Sequence, residues 1–117
     1  YVQGLTNAKL DLTTTNETVL YTAPSVGDFN ISVLNSILVS EDSGNADTIT
    51  VTLTNGSDVF SLFKVAAVGA NATVELLTHN LVLQGTEILK VQAATGNRLH
   101  VVASIQEFAQ SRNTTAL

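Results

Sequence analysis

Two histidines are the residues of this 117-residue chain best suited to acid-base or metal chemistry. His79 lies in the segment THN and His100 in the segment RLHVV, and neither has a GxSxG motif or an acidic partner nearby. Their spacing does not match the HxH or HExxH patterns of zinc sites. Because catalytic triads assemble in space, a small hydrolase stays open as an alternative. The pattern itself predicts that His79 is a turn residue and that His100 faces outward from a strand.

The acidic segment EDSGNAD, residues 41–47, is the strongest candidate for a cation site. Calcium prefers several oxygen ligands that converge from one flexible loop, and Glu41, Asp42, Asn45 and Asp47 offer such oxygens. The segment lacks the spaced glycine and the terminal glutamate of an EF-hand, so it is more typical of a solvated surface turn. The seven glycines lie singly and form no phosphate-binding cluster. We therefore predict neither a metal ion nor a cofactor.

Composition excludes several classes of partner. The net charge is −5 and the chain has only five lysines and arginines, so nucleic acid and anionic membranes are unfavourable partners. The chain has no cysteine, which removes disulfides and thiolate chemistry. It also has no methionine and begins with Tyr1, a bulky residue after which removal of the initiator is inefficient, so we expect that Tyr1 is not the second codon. Either a leader was cleaved or an initial segment precedes Tyr1 in the gene product.

The elements that must position these residues are short β-strands. From Val19 onward, segments rich in Val, Ile, Leu and Thr alternate with turn residues every eight to twelve residues. This pattern predicts an all-β protein, an antiparallel, jelly-roll-like β-sandwich of seven or eight strands. We predict an N-terminal arm at 1–18, the sandwich domain at 19–108 and a C-terminal tail at 109–117. The predicted strands are 19–23, 29–40, 49–54, 59–68, 73–77, 81–83, 87–93 and 98–108.

Turn residues predict how some strands connect. Asn55-Gly56 tolerates positive φ and predicts a tight hairpin, and ATGN at 94–97 predicts a second one. The segment 29–40 is long and apolar on both faces, which predicts a bend or bulge near Asn35-Ser36, or cover on both sides. In the last strand, alternation predicts that Leu99, Val101, Ala103 and Ile105 share the inner face.

Several apolar side chains fall on strand faces that alternation would leave exposed. Contiguous exposed apolar area usually marks a protein interface, and a domain of this size cannot bury both faces of several strands. We therefore predict an interface at Leu34, Leu38 and Val102, together with Leu117, the only large apolar residue of the tail. The alternative is that these residues lie beneath the arms or at a bent edge of the sandwich.

Residues 19–107 resemble small β-sandwich virion proteins of tailed bacteriophages. The segments that carry the resemblance are VLYTAPSV (19–26), ISVLNSILVSEDSGNADTITVTLTNGS (31–57), ANATVELL (70–77), LVLQGTEILKVQA (81–93) and RLHVVASIQE (98–107). The resemblance implies a non-enzymatic structural role and suits a capsid decoration (cement) protein best. Such a protein lies on the capsid surface of the virion and bridges capsomers. Its expected partners are the major capsid protein and copies of itself, as a homotrimer.

Two other roles stay open at this stage. Tail, neck and baseplate components of virions share the same size and sandwich architecture. From a different class, the Thr-rich ends and the low charge fraction also suit a secreted carbohydrate-binding or adhesion module. An aromatic shelf or an ordered calcium ion would favour the sugar-binding module, whereas a histidine within reach of a serine and a buried carboxylate would favour the hydrolase.

Overall fold

A computed structural model describes residues 2–25 and 31–109, with the backbone alone described at Val2, Gln3 and Ala109. This part of the chain is built from nine strands. They are β1 (Val2–Leu12), β2 (Thr18–Thr22), β3 (Ile31–Glu41), β4 (Asp47–Asn55), β5 (Asp58–Val68), β6 (Thr73–Glu75), β7 (Leu81–Gln84), β8 (Ile88–Ala93) and β9 (Leu99–Ala109). Within the described ranges, the chain forms no helix long and apolar enough to span a membrane.

The strands form two antiparallel sheets that pack face to face. Sheet A has the order β1-β9-β3-β6, with β7 also paired to β3, and sheet B has the order β2-β8-β4-β5. Because β6 and β7 both pair with β3, they are two halves of one interrupted strand. With these halves counted as one, the chain crosses repeatedly between the sheets in jelly-roll order. The predicted all-β, jelly-roll-like sandwich is confirmed.

The core lies between the sheets, and alternation along the strands builds it. In β9 the four predicted residues, Leu99, Val101, Ala103 and Ile105, are all buried. In β4, Ile49 and Val51 are fully buried, as their alternation predicts. The outward threonines of β4 behave differently: Thr52 and Thr54 are also buried, because β4 lies between β5 and β8 in the middle of sheet B.

A bulge in β3 confirms the irregularity predicted near Asn35-Ser36. The pairing with β9 passes from Leu34 opposite Ile105 to Ser36 opposite Ser104, so Asn35 is the extra residue. The extra residue inverts the alternation, so Ser32 and Leu34 face the core before it and Ile37 faces the core after it. The prediction that Leu34 belongs to an exposed interface is therefore wrong: it is fully buried within this chain.

The predicted hairpin between β4 and β5 is confirmed, with its turn shifted by one residue. Asn55 pairs with Asp58, which leaves Gly56 and Ser57 as the two turn residues. Gly56 has a φ of 63° and occupies the first central position, where a type II′ turn requires positive φ. Asn55 ends the strand instead of forming the turn.

The second predicted hairpin, through 94–97, is wrong. β8 belongs to sheet B and β9 belongs to sheet A, so this segment crosses between the sheets. It packs closely on the β1–β2 connection: the amide of Asn97 donates to the carbonyl oxygen of Leu12 at 2.9 Å. At Gly96 a Cβ atom would lie 2.5 Å from the carbonyl oxygen of Thr13, so only glycine fits.

The predicted N-terminal arm at 1–18 is wrong for residues 2–12. These residues form β1, which pairs with β9 over its whole length, from Val2 opposite Ala109 to Leu12 opposite Leu99. Most side chains of this segment are small or polar, so its inner face is hard to recognise in the sequence. Along that face Ala8 and Leu10 are half-buried and Leu12 is buried. β9 ends at Ala109, and the rest of the tail predicted at 109–117 lies outside the described residues.

A tyrosine links the two sheets at one end of the sandwich. The hydroxyl of Tyr21, on β2, hydrogen-bonds to the hydroxyl of Ser32 at 2.8 Å and to the carboxylate of Glu107. Ser32 and Glu107 lie on the neighbouring strands β3 and β9 of sheet A. Burial and the Glu107 carboxylate raise the pKa of Tyr21 to about 12, so the phenol stays protonated and continues to donate.

A buried carboxylate organises the loops at the opposite end of β3. Glu41 accepts hydrogen bonds from the amides of Ser43 (2.7 Å), Asn71 (2.9 Å) and Gly44 (3.1 Å), and from the Ser43 hydroxyl. Burial raises the pKa of Glu41, but these hydrogen bonds outweigh burial and lower it to about 2. One side chain therefore fixes both the 42–46 loop and the 69–72 turn.

We predict that Gly96→Ala lowers the free energy of unfolding by about 1–3 kcal/mol, because the added methyl group meets backbone that cannot rotate away. Gly4→Ala is the matched control, since a Cβ at Gly4 has no neighbour within 4 Å. Its effect should stay within about 0.5 kcal/mol. Urea unfolding followed by circular dichroism measures both; equal effects at the two positions would contradict the close approach.

We also predict that Glu41 makes the fold sensitive to acid. Its folded pKa lies below its ordinary value of 4.5, so its stabilising contribution is present above about pH 4.5 and is lost as the pH falls toward 2. Glu41→Gln should lower stability at pH 7 and flatten its fall between pH 4.5 and 2. Asp58→Asn, at an exposed position, is the control. Urea midpoints measured across this range test the prediction, which fails if Glu41→Gln leaves the slope unchanged.

Candidate interaction surface

The outer face of sheet A is the candidate functional surface. It faces away from the core and is formed by β1, β9, β3 and the edge strands β6 and β7. Five large apolar side chains are markedly exposed on it: Leu5 (78%), Val82 (53%), Ile31 (41%), Leu38 (40%) and Val102 (39%). Strand register sorts them into two groups.

The first group, the upper patch, consists of Leu38 and Val102. These residues are directly opposite each other on β3 and β9. The outer neighbours in the same row are Lys9, opposite Val102 on β1, and Glu75, opposite Leu38 on β6. A cation and an anion thus flank an apolar pair in the middle of the sheet.

The second group, the lower patch, lies at the other end of the same face. Its members are Leu5, Ile31, Val33, Val82 and Phe108. Ile31 is opposite Phe108, and Val33 is opposite Val82, so three strands contribute adjacent apolar side chains. Leu5, on β1, is opposite Gln106, which separates it from Val33.

A neutral polar row separates the two patches. Asn7 is opposite Ser104, and Ser104 is opposite Ser36 beside the β3 bulge. Asn7 and Ser104 are exposed. The face is therefore mostly uncharged, with apolar contacts that polar side chains space apart.

The four predicted interface residues lie in different parts of the molecule. It brings Leu38 and Val102 together as one exposed pair. It places Leu34 in the core, on the opposite side of the sheet. Leu117 lies outside the described residues. The role of Leu38 and Val102 as contact residues stays a prediction.

On the outer face of sheet A, sequence reasoning missed three exposed apolar residues, namely Leu5, Ile31 and Val82. Leu5 falls in the segment assigned to an arm. Ile31 precedes the bulge. Simple alternation from the buried Ile37 would place Ile31 on the inner face, but the bulge places it on the outer face. Val82 lies between Leu81 and Leu83, and Leu83 is fully buried. Alternation along this tripeptide places Val82 on the opposite face, so alternation was the signal that could have identified it.

The histidines take the positions that the sequence predicts. His100 is on the outer face of β9, and His79 is in the bend between β6 and β7. The Nε2 atom of His100 lies 3.3 Å from Asp11 Oδ1, and its Nδ1 atom lies 3.4 Å from Asp42 Oδ2. Both nitrogens of His100 thus face exposed carboxylates, whereas a Ser-His-Asp triad requires a serine hydroxyl on one of them.

In the acidic segment 41–47, two of the three carboxylates, those of Glu41 and Asp47, accept hydrogen bonds from backbone amides. Besides Glu41, the carboxylate of Asp47 accepts a hydrogen bond from the amide of Thr95 at 3.1 Å. In the described ranges, no group of three or more metal-ligating side chains converges. Among the described residues, Phe60 and Phe63 lie on β5 of sheet B, whereas Phe108 lies on β9 of sheet A.

Proteins of known structure share this architecture. No protein-family model and no curated protein matches the sequence. The fold is similar to that of Bacillus endospore appendages, described as a family of disulfide-linked pili, with a TM-score of 0.57, 8% identity and coverage of 94% of this chain and 88% of that chain. It is also similar to a protein of the T13 IBDV viral particle, with a TM-score of 0.58 and 12% identity. That match covers 90% of this chain but only 30% of the viral chain. At these identities the likeness is one of fold.

Proposed function

We propose that this chain is a non-enzymatic structural subunit of a virion, and that it serves as a capsid decoration protein of a tailed bacteriophage. In this role it lies on the capsid surface, bridges capsomers and thereby stabilises the head. Its partners are the major capsid protein and copies of itself.

The observation that carries this proposal is the outer face of sheet A. Leu38 and Val102 form an exposed apolar pair on a largely neutral sheet face, and the lower patch repeats the feature on the same face. Such contacts are individually weak, but a symmetric shell repeats them many times, so their combined strength becomes large. A face of this kind suits a subunit that neighbours hold in place.

The ionisable groups support a structural role in a second way. Glu41 and Glu75 accept hydrogen bonds from backbone amides, and so does Glu87, which binds the amide of Gln84 at 2.7 Å. A carboxylate that is saturated by backbone donors holds turns and bulges in place and is a poor general base. These three carboxylates therefore serve to stabilise the fold.

The similar folds in pili and in a viral particle agree with a subunit of a large assembly. The sequence resemblance to phage virion proteins narrows the proposal to the virion. Tail, neck or baseplate placement is the alternative within this class, since the same face would serve there.

A filament subunit is the second candidate, favoured by one observation. The similarity to the pilus subunit covers nearly all of both chains, whereas the viral match covers less than a third of its chain. This chain has no cysteine, so a filament would need contacts other than disulfides. Electron microscopy of the concentrated protein separates the candidates: regular filaments formed by the chain alone favour this one.

We predict that Val102→Asp impairs assembly and leaves the monomer folded. A carboxylate at this exposed position tolerates water but not a dry contact, so binding to capsids stripped of their outer proteins should weaken by about 10- to 30-fold. The capsids are those of the virus that encodes the chain, and sedimentation measures binding.

Two further variants make the test specific. Ser104→Asp adds the same charge to an exposed position two residues along the same face, between the patches, and should weaken binding far less. Val101→Asp places a carboxylate in the core and should unfold the protein, because Val101 is fully buried. If Val102→Asp binds like the unmodified chain, or if the unmodified chain does not bind, the proposed role is wrong.

A further inference from the structure

We propose that the free edge of β1 pairs with β1 of a second copy, antiparallel, about a twofold axis at Asn7. This inference goes beyond the proposed function, since it names a contact between copies that neither capsid binding nor the outer face requires. It rests on a comparison of the sheet edges.

Three of the four edges carry features that discourage pairing with another strand. β2 has five residues, and its register shifts between Val19 and Tyr21. β6 has three residues and β7 has four, and the bend at 76–80 separates them. β5 is long, but its register shifts twice against β4, Val65 has a φ of 54°, and Lys64 lies within the same bulge. Short edges, bulges and lysines are the usual protection against edge-to-edge association.

β1 is long and has no bulge, and its one lysine, Lys9, lies outside the segment 2–8. It pairs with β9 over eleven consecutive residues without a shift, and the segment 2–8 contains neither a charge nor a proline. Among the described residues, no strand pairs with its other edge. About half of its backbone amide and carbonyl groups therefore point away from β9 and are free to pair with an added strand.

A second copy of β1 fits this edge along its whole length. When Asn7 is opposite Asn7 of the partner, all eleven residues pair, and odd-numbered residues keep to the outer face. Leu5 is then opposite the partner's Lys9, whose aliphatic stem covers this most exposed apolar side chain.

The charges of β1 agree with this register. Its only charged residues are Lys9 and Asp11. The two copies of Lys9 are offset by four residues, or about 13 Å along the strands, and the two copies of Asp11 by about 27 Å. Both separations exceed the screening length of about 8 Å at physiological salt. Moving the centre to Lys9 would place two ammonium groups opposite each other.

The pairing has a structural consequence for the outer face. The two copies of sheet A join into one continuous sheet, with both outer faces on the same side. Each copy then contributes its upper and lower patches to one doubled surface. This contact joins copies two by two, unlike the threefold arrangement that the phage resemblance implies.

Disulfide trapping tests the register directly, because the natural chain has no cysteine. Residues opposite each other in an antiparallel pair have Cα atoms about 4.5–5.5 Å apart, within the range that a disulfide spans. Asn7→Cys should therefore form a covalent dimer under mild oxidation at micromolar concentration. Ser104→Cys is the matched control: it is exposed in the same row, one strand further from the axis, and should stay monomeric.

A second measurement does not depend on disulfide geometry. Asn7→Lys places two ammonium groups opposite each other at the axis and should raise the dissociation constant of the dimer about tenfold in sedimentation equilibrium. Ser104→Lys should leave the constant unchanged. The inference is overturned if the unmodified chain is monomeric at millimolar concentration, if Ser104→Cys crosslinks as readily as Asn7→Cys, or if Asn7→Lys dimerises normally. The capsid-binding result with Val102→Asp is independent of each of these outcomes.

Discussion

The Glu75 carboxylate holds the irregularity on which both faces of sheet A depend. It accepts hydrogen bonds from the Ser36 hydroxyl, from the amide of Ile37 at 2.8 Å and from the amide of Leu77 at 3.2 Å. Burial raises the pKa of Glu75, but these bonds outweigh it and lower the pKa below its ordinary value, so the group stays charged. The bulge beside it turns Leu34 into the core and Leu38 out of it. A regular β3 would expose both residues or bury both, and the core and the outer patches would no longer coexist.

Much of the fold could be predicted from the sequence, because a period of two is a local signal. It gave the two faces of β9, the β4–β5 hairpin and the approximate site of the β3 bulge. The β8–β9 connection could not be predicted in the same way. A tight turn at 94–97 looks alike whether the next strand pairs with the last one or crosses to the other sheet, and only the packing of Gly96 on Thr13 distinguishes the two. β1 was missed because Ala8 and Leu10 are a modest inner face.

The candidate surface was predictable only where alternation was undisturbed. Leu38 follows the bulge in β3, and Val102 lies on the regular strand β9, so alternation correctly indicates exposure for both. The strand register places them side by side. Leu34 and Ile31 lie before the bulge, where the same rule gives the opposite face for each. The position of a bulge to within one residue therefore decides whether a predicted contact residue lies on the surface or in the core. Sequence patterns located this bulge near Asn35-Ser36 but did not state which residues it inverts.

The β1 edge and the outer face of sheet A share one property, a low density of charged side chains. Copies with a net charge of −5 repel one another, so lasting contacts must form where few charges lie. Among the described residues, the carboxylates of Glu41, Glu75 and Glu87 are held by backbone amides of the same chain. The outer face and the edge of β1 present mainly Ser, Asn, Thr and scattered aliphatic side chains. In the proposed assembly each such contact is weak by itself, and an ordered array multiplies it. An apolar core kept apart from weakly apolar surfaces is therefore compatible with both a soluble subunit and a stable assembly.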